Sequence, residues 1–519
     1  MIIPSAARSL WLRALAFAAA LWGAAIAWHY HALGLTLTHY DARGHLIVAR
    51  RIFDSITPGW QQIGAVWLPL PHLLNALPVQ IDLFYRTGAS AVAMSVLSFA
   101  VTVAAIAAIV EMLTGSIAAA LAAALVFAAN PNVLYLQATP MTEPLLLATT
   151  TAAVALLIRS TLDVSPERRL QSAYGGVQLG YVGLAFALAC LTRYEAWPVT
   201  VGALVCAVWA RWRRGEPLQM ALRRVGAIAL YPAAAVLAFT IVSRIVVGAW
   251  FVSDGFFVPE NTALGHPMEA VKQIVWGARA LSSYALVVAA VVGLVALVAA
   301  GLADRSRAEC LIAAAALGTA AVPWVAFVKG HPYRIRYMVP LMAIEAIAAG
   351  AAAGYFKRTR NIAAVALAVL ALVDLRPLDL SAPMVVEAQW DRPNIAARQP
   401  VSDYLRAHYD GTSIMASMGS LGHYMQEVAV EGFSIRDFLH EGNGDIWLNA
   451  LDNPRPFAGW ILIEEKAEGG DALAMKARER PDFLAGYSRV ADGAGLALYR
   501  RKEPGVAVDA QNLRLSVSR

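Results

Sequence analysis

From residue 10 to residue 376 the chain is a succession of apolar runs joined by short loops, and this pattern limits the possible folds most severely. A bilayer core takes about 20 apolar residues as a helix, with a range of about 17–25. Lipid offers no partner to a bare N–H or C=O, so runs of this kind fold as helices. Eleven windows are candidates, some of them short for a full span: 10–28, 88–110, 115–130, 143–158, 175–192, 196–210, 225–243, 281–302, 310–328, 338–355 and 361–376. A length of 519 residues would otherwise suggest several soluble domains. Charged residues make up only 15% of the chain, where soluble domains average about 25%. That balance excludes disordered, collagen-like and disulfide-framework classes as well. The formal charge of +6 sits in short clusters between apolar runs. This is a topology signal and not a phosphate-tracking face, so no nucleic-acid partner is expected. Cys190, Cys206 and Cys310 all lie in apolar runs, without metal-ligand or CxxC spacing.

The clusters also set sidedness. Arg8 and Arg13, Arg168 and Arg169, Arg211 to Arg224, Arg305 and Arg307, and Lys357 to Arg360 fall on one side only with eleven spans. The N-terminus is then cytoplasmic, and everything after about residue 377 lies outside. Ala25-Ile26-Ala27 resembles a signal-peptidase site, but a retained first helix fits the many later spans better. The stretch 63–84 is interrupted by Pro69, Pro71 and Pro78. It reads as an irregular segment at the outer interface, anchored by Trp60 and Trp67. The long excursions (29–87, 131–142, 244–280, 329–337 and the tail) all fall on the outer side, where chemistry or binding is expected.

The expected fold class is thus a polytopic all-α membrane domain of about 11 transmembrane helices, residues 1–377, with interfacial helices in its first outer loop, 29–87. A small extracytoplasmic α/β domain follows over 378–503, and 504–519 reads as a frayed tail. In the α/β domain, 398–407, the segment from Gly419 to Met425, and 471–479 read as helices. Residues 413–417 and 460–464 read as strands, and 490–499 as a hairpin turning at Asp492-Gly493.

The first outer loop holds His39-Tyr40-Asp41-Ala42-Arg43-Gly44-His45 and continues to Asp54. Leu46, Ala49 and Phe53 share one helical face and Arg43 and Arg50 another, as in an amphipathic helix lying at the interface. Asp41 stands at its start, either as a helix cap or as a carboxylate held at the membrane surface as a general base. Asp41 and His45, four apart, share a helix face. Glu143 fits a first-turn acid favoured by the helix dipole, and Glu195 stands close enough in sequence to neutralise Arg193. Arg193, Arg334, Arg336 and Lys329 lie on outer loops; snorkelling interfacial cations would look the same. The loop 251–268, rich in aromatic, Gly and Pro residues, suits a membrane-hugging loop or a lid.

An Asp shortly after the first span, followed by an interfacial helix, resembles the GT-C glycosyltransferases. Trp67-Leu68-Pro69-Leu70-Pro71-His72, Asn130-Pro131-Asn132, Gln137 to Pro144, Thr192 to Trp197 and His331 to Tyr337 add to the likeness. The nearest group in character is the bacterial protein O-mannosyltransferases and aminoarabinose transferases, and the resemblance covers most of residues 10–376. It implies transfer of a sugar from a polyprenyl-phosphate donor to an acceptor (glycan, lipid or protein) outside the bacterial plasma membrane. It implies Asp41 as the base, with inversion at the anomeric carbon, and Glu143 or Glu195 as a second carboxylate. Arg334, Arg336, Arg193 and Lys329 would bind the donor phosphate, supported by His45, Tyr40 and Tyr337. Protein mannosyltransferases pair the first-loop Asp with an adjacent Glu, whereas Asp41 precedes Ala42; the acceptor class therefore stays open. No cofactor is required, and a divalent metal is neither demanded nor excluded. The rival readings are a multi-span transporter or lipid flippase and an inactive scaffold on the same architecture.

Overall fold

A computed structural model describes residues 5–64, 66–162, 172–248, 250, 261–466 and 469–502. Residues 251–260 of the lid-like loop and the tail 504–519 lie outside them. The chain divides into two compact units. One comprises residues 1–33, 92–241 and 260–387, and the other residues 34–91, 242–259 and 388–519. The first outer loop therefore belongs to the unit of the C-terminal domain, whereas the sequence expectation kept it with the membrane helices.

The first unit is helical. Among the described residues, seven helices are long and apolar enough to cross a membrane: Leu10–Ala32, Ala89–Thr114, Glu143–Leu162, Leu218–Val246, Tyr284–Ala303, Cys310–Val328 and Ile335–Tyr355. The protein is thus a multi-pass membrane protein. The other apolar windows are helical too, but Ile117–Ala128 and Arg360–Leu375 are short and Ala196–Arg213 ends in two arginines. Among the described residues, seven of the expected windows are thus filled by helices of spanning length. Ile335–Tyr355 is buried almost throughout and forms the centre of the unit. Tyr284–Ala303 crosses it at Gly293, where a Cβ would collide with the Ala348 carbonyl. In lipid no hydrophobic force drives helices together, so small residues that let backbones approach supply the packing.

The second unit is α/β. Its five strands are β1 (Ile414–Ala416), β2 (Phe438–Leu439), β3 (Trp460–Glu464), β4 (Tyr487–Gly493) and β5 (Leu496–Arg501), in the order β2-β1-β3-β5-β4. The β1–β2 and β1–β3 pairs are parallel, whereas β3–β5 and β4–β5 are antiparallel. The hairpin turns two residues later than Asp492-Gly493. Those residues are paired with Ala497 and Leu496, and the turn falls on Ala494 and Gly495, both at positive φ. Positive φ at both positions is the signature of a type I′ turn, whose twist matches that of the flanking strands. Gly493 serves another purpose: a Cβ there would strike the Ala397 carbonyl.

The first-loop helix, Tyr40–Arg50, is embedded in this unit. Leu46, Ile47 and Ala49 join one core with Tyr424, Met425, Trp460 and Leu498. Its arginines Arg43 and Arg50, placed by the sequence on a separate face of an amphipathic helix, are buried as well. Arg43 donates to Glu427 at 2.7 Å and to the Leu37 carbonyl at 2.7 Å. Arg50 donates to Asp54 at 2.9 Å and to Asp82 at 2.7 Å. Paired charges of this kind are buried without the penalty of lone ones. Phe53, expected on the apolar face, is half exposed instead. Trp60 is exposed, as an interfacial anchor would be, whereas Trp67 is drawn against two histidines.

Candidate functional site

The candidate residues fall into two groups, one in each unit. In the second unit, His39 caps the first-loop helix, its Nδ1 accepting from the Asp41 backbone N–H at 3.1 Å. Asp41 is therefore not the cap. It stands in the first turn, where the helix dipole favours a carboxylate, and it is 9% exposed. Tyr40 stacks on His39 with ring centroids 4.7 Å apart.

His45 follows Asp41 by one helical turn. Its Nδ1 lies 3.1 Å from Nε2 of His72, and Nδ1 of His72 lies 3.1 Å from the Leu68 carbonyl. Trp67 covers the pair, 4.2 Å from His45 and near-parallel to His72 at 5.8 Å. Gly44 makes room for that indole: a Cβ there would sit 2.9 Å from its ring. Burial pushes the His72 imidazole down to about 3, with help from the nearby charge of Arg51. Burial likewise lowers Arg51 to about 10, partly offset by Glu441.

In the first unit, Arg193 forms the centre of a buried ionic cluster. Its Nη2 donates to Glu195 at 2.8 Å, and its Nη1 lies 3.2 Å from Glu143 and donates to Thr142 at 3.0 Å. Glu143 is fully buried at the start of its helix. Burial works against the charged guanidinium, but Glu143 and Glu195 hold it above its ordinary value against the opposing charge of Arg336. With two carboxylates and a hydroxyl around it, Arg193 is already engaged. Arg336 is 7% exposed, with its guanidinium 5.1 Å above the ring of Tyr337. Arg334 is half-buried in extended backbone just before it. Lys329 ends the preceding helix and is exposed. Glu387, which the sequence did not single out, accepts from the Ile335 N–H at 2.9 Å and fixes this turn. Asn130 caps the helix Pro131–Leu136, and Asn130 and Asn132 both donate to the Leu281 carbonyl, at 2.8 and 3.0 Å.

The structure thus brings Glu143, Glu195 and Arg193 together, with Arg336 within electrostatic reach, and separately sets His45 beside His72. Only long-range contacts reveal the partners of His45 and the role of Glu387, so no local signal marks them. Among the described residues no three His, Cys, Asp or Glu side chains group as a metal site would.

No family model matches the sequence, and no curated protein does. Solved structures do match. The crystal structure of ArnT from Cupriavidus metallidurans bound to undecaprenyl phosphate aligns over 96% of this chain and 98% of its own, at 12% identity and a TM-score of 0.57. The Archaeoglobus fulgidus oligosaccharyltransferase in the apo form aligns over 88% and 70%, at 11% identity and a TM-score of 0.49. Nearly the whole length of the chain therefore follows the path of ArnT and shares its fold.

Proposed function

We propose that this protein transfers a sugar from a polyprenyl-phosphate carrier to an acceptor on the outer face of a bacterial plasma membrane. The observation that carries the reading is the end-to-end likeness in fold to ArnT, a protein crystallised with undecaprenyl phosphate. The side chains support it chemically. A lipid-linked donor leaves a phosphate behind, and cations must meet the charge that develops on it. Arg336 and Arg334 take that part, since a guanidinium matches two phosphate oxygens at once. Arg193, held by Glu143 and Glu195, buttresses that region instead of binding the donor itself.

Asp41 is the base. The acceptor hydroxyl loses its proton to the carboxylate as its oxygen attacks the anomeric carbon. The bond to the phosphate oxygen breaks on the opposite side, so the sugar is delivered with inversion. His39, and not Asp41, caps the helix. The N-terminus is cytoplasmic in this reading and the α/β unit extracytoplasmic.

The test is an Asp41→Asn variant of the full chain, reconstituted in liposomes with a panel of polyprenyl-phosphate [14C]sugars and envelope extract as acceptor. Wild-type protein is expected to move label off the lipid. The variant is expected to lose about 10²–10⁴ of that rate, as removal of a general base does. Equal rates for the two proteins take Asp41 out of the mechanism.

A further inference from the structure

Helices Ala89–Thr114, Tyr284–Ala303 and Ile335–Tyr355 finish at one end of the first unit, where Cys310–Val328 begins. Between them lies a cleft with about 320 Å³ of free space, part of it open to the surroundings. Its walls are apolar: Leu113, Ala296, Leu297, Ala300 and Ala351. Tyr284–Ala303 and Ile335–Tyr355 touch at Gly293 and Ala348. The small side chains at 296, 300 and 351, one to two turns further on, do not fill the space between them. The mouth is polar. Arg307 lines it together with Tyr355, its guanidinium 5.0 Å above that ring. Asp304 stands 4.0 Å from the same guanidinium and is half exposed, a pairing of the kind that contributes little. Arg305, Lys357 and Arg358, next to Arg307 and Tyr355 in the chain, are exposed. Arg360 reaches back to the Gly115 carbonyl at 3.4 Å, beside Thr114 of the cleft. Of the other acids on these segments, Glu309 is taken by Arg214 at 2.6 Å and Glu111 is buried in its helix. The exposed charge around the mouth is therefore mainly positive. Phe356 is exposed beside Tyr355, with ring centroids 5.0 Å apart, as aromatic residues are at the level of lipid head groups.

We propose that this cleft binds an anionic phospholipid of the surrounding leaflet, its phosphate on Arg307 and the first methylenes of an acyl chain along the alanine-lined wall. A guanidinium meets two phosphate oxygens at once, and basic pockets between transmembrane helices take lipid head groups in this way. Snorkelling accounts for isolated cations at helix ends. It does not account for an apolar cleft between helices that ends on one of them. The site is distinct from Arg334 and Arg336, and the inference does not depend on sugar transfer.

Native mass spectrometry tests it on the full chain, delipidated in detergent and titrated with dioleoyl phosphatidylglycerol or dioleoyl phosphatidylcholine. Wild-type protein is expected to bind one phosphatidylglycerol about tenfold more tightly than phosphatidylcholine. Arg307→Gln is expected to erase that preference. Ala296→Phe keeps every charge but fills the cleft from a half-buried position, and is expected to erase it as well. Arg223→Gln removes the same charge from a helix that does not line the cleft, and is expected to leave the preference intact. Melting curves give a second readout: phosphatidylglycerol should raise the melting temperature of wild type and Arg223→Gln, and not that of the other two. Equal binding of both phospholipids by wild type overturns the proposal. So does a preference that survives Ala296→Phe, or one that Arg223→Gln weakens as much as Arg307→Gln, since diffuse attraction follows total charge alone. Inorganic phosphate that raises the wild-type melting temperature as far as phosphatidylglycerol assigns the cations to a free anion and also overturns it. Undecaprenyl phosphate binding that Arg307→Gln weakens equally would make the cleft a carrier site, with the same consequence.

Discussion

Removing the Asp54 side chain probes how the first outer loop and the C-terminal domain are welded into one unit. Its carboxylate, with a side chain 2% exposed, accepts from Arg50 Nε at 2.9 Å and from Arg436 Nε at 2.8 Å. The backbone N–H groups of Ile435 and Arg436 point at it from 3.4 Å. Breaking a buried pair by removing one member costs about 3–5 kcal/mol, because the partner is left charged and dry. Two features reduce that figure. Arg50 keeps Asp82 at 2.7 Å, and Arg436 is 56% exposed and rehydrates. Asp54→Ala is therefore expected to destabilise the unit by about 2–3 kcal/mol at neutral pH. Burial alone would push the Asp54 carboxyl up, but hydrogen bonds from Arg436 and Arg50 hold it below its ordinary value. A depressed carboxylate contributes stability above its unfolded pKa of about 4 and loses it as the pH falls further. The gap between wild type and variant should accordingly be full at pH 7 and close below about 4. Hydrogen exchange on the full chain in nanodiscs reads it out. Amides of residues 40–50 and 434–440 are expected to exchange about 30- to 150-fold faster in the variant. Unchanged protection, or loss in only one of the two segments, refutes the argument that this carboxylate joins them.

Gly293→Ala should drive a methyl into the Ala348 carbonyl and cost about 1–3 kcal/mol, seen as a lower melting temperature in detergent; an unchanged temperature means the two helices do not meet there. The second unit should also weaken in acid. Burial holds His72 at about 3 and His423 at about 4, so each favours folding in its neutral form. That contribution is intact above the unfolded value of about 6.5 and falls by up to about 1.4 kcal/mol per pH unit per histidine below it. Asp471, raised by burial to about 6, acts in the opposite sense and offsets part of the loss. Protection factors in the unit, with the intrinsic exchange rate at each pH divided out, should fall from pH 6.5 to pH 5, and His72→Gln should blunt the fall.

The sequence conveyed the helices more readily than their company. Apolar length located each of the seven long apolar helices among the described residues, because lipid leaves a backbone no other option. It could not separate spans from shorter helices such as Ile117–Ala128, whose burial depends on neighbours. The first-loop helix was legible from its period, but the ion pair of Arg43 was not, because Glu427 lies hundreds of residues away. His39 is an uncommon cap, so Asp41 appeared to hold that place. The hairpin was found and its turn misplaced, since Asp-Gly is the stronger local signal and the close approach to Ala397 is visible only in three dimensions. Glu195 beside Arg193 was readable from two-residue spacing, whereas Glu143, fifty positions earlier, was not placed in that cluster by any local pattern.

Sugar transfer as proposed requires a phosphate-bearing lipid as donor, so the decisive measurement is binding of undecaprenyl phosphate against undecaprenol to the reconstituted full chain. Wild-type protein is predicted to prefer the phosphate form, and Arg336→Ala to weaken binding of that form by about tenfold or more while leaving undecaprenol unaffected, as loss of a charge-assisted contact would. Equal affinity for the two lipids, or a preference untouched by Arg336→Ala, contradicts the account.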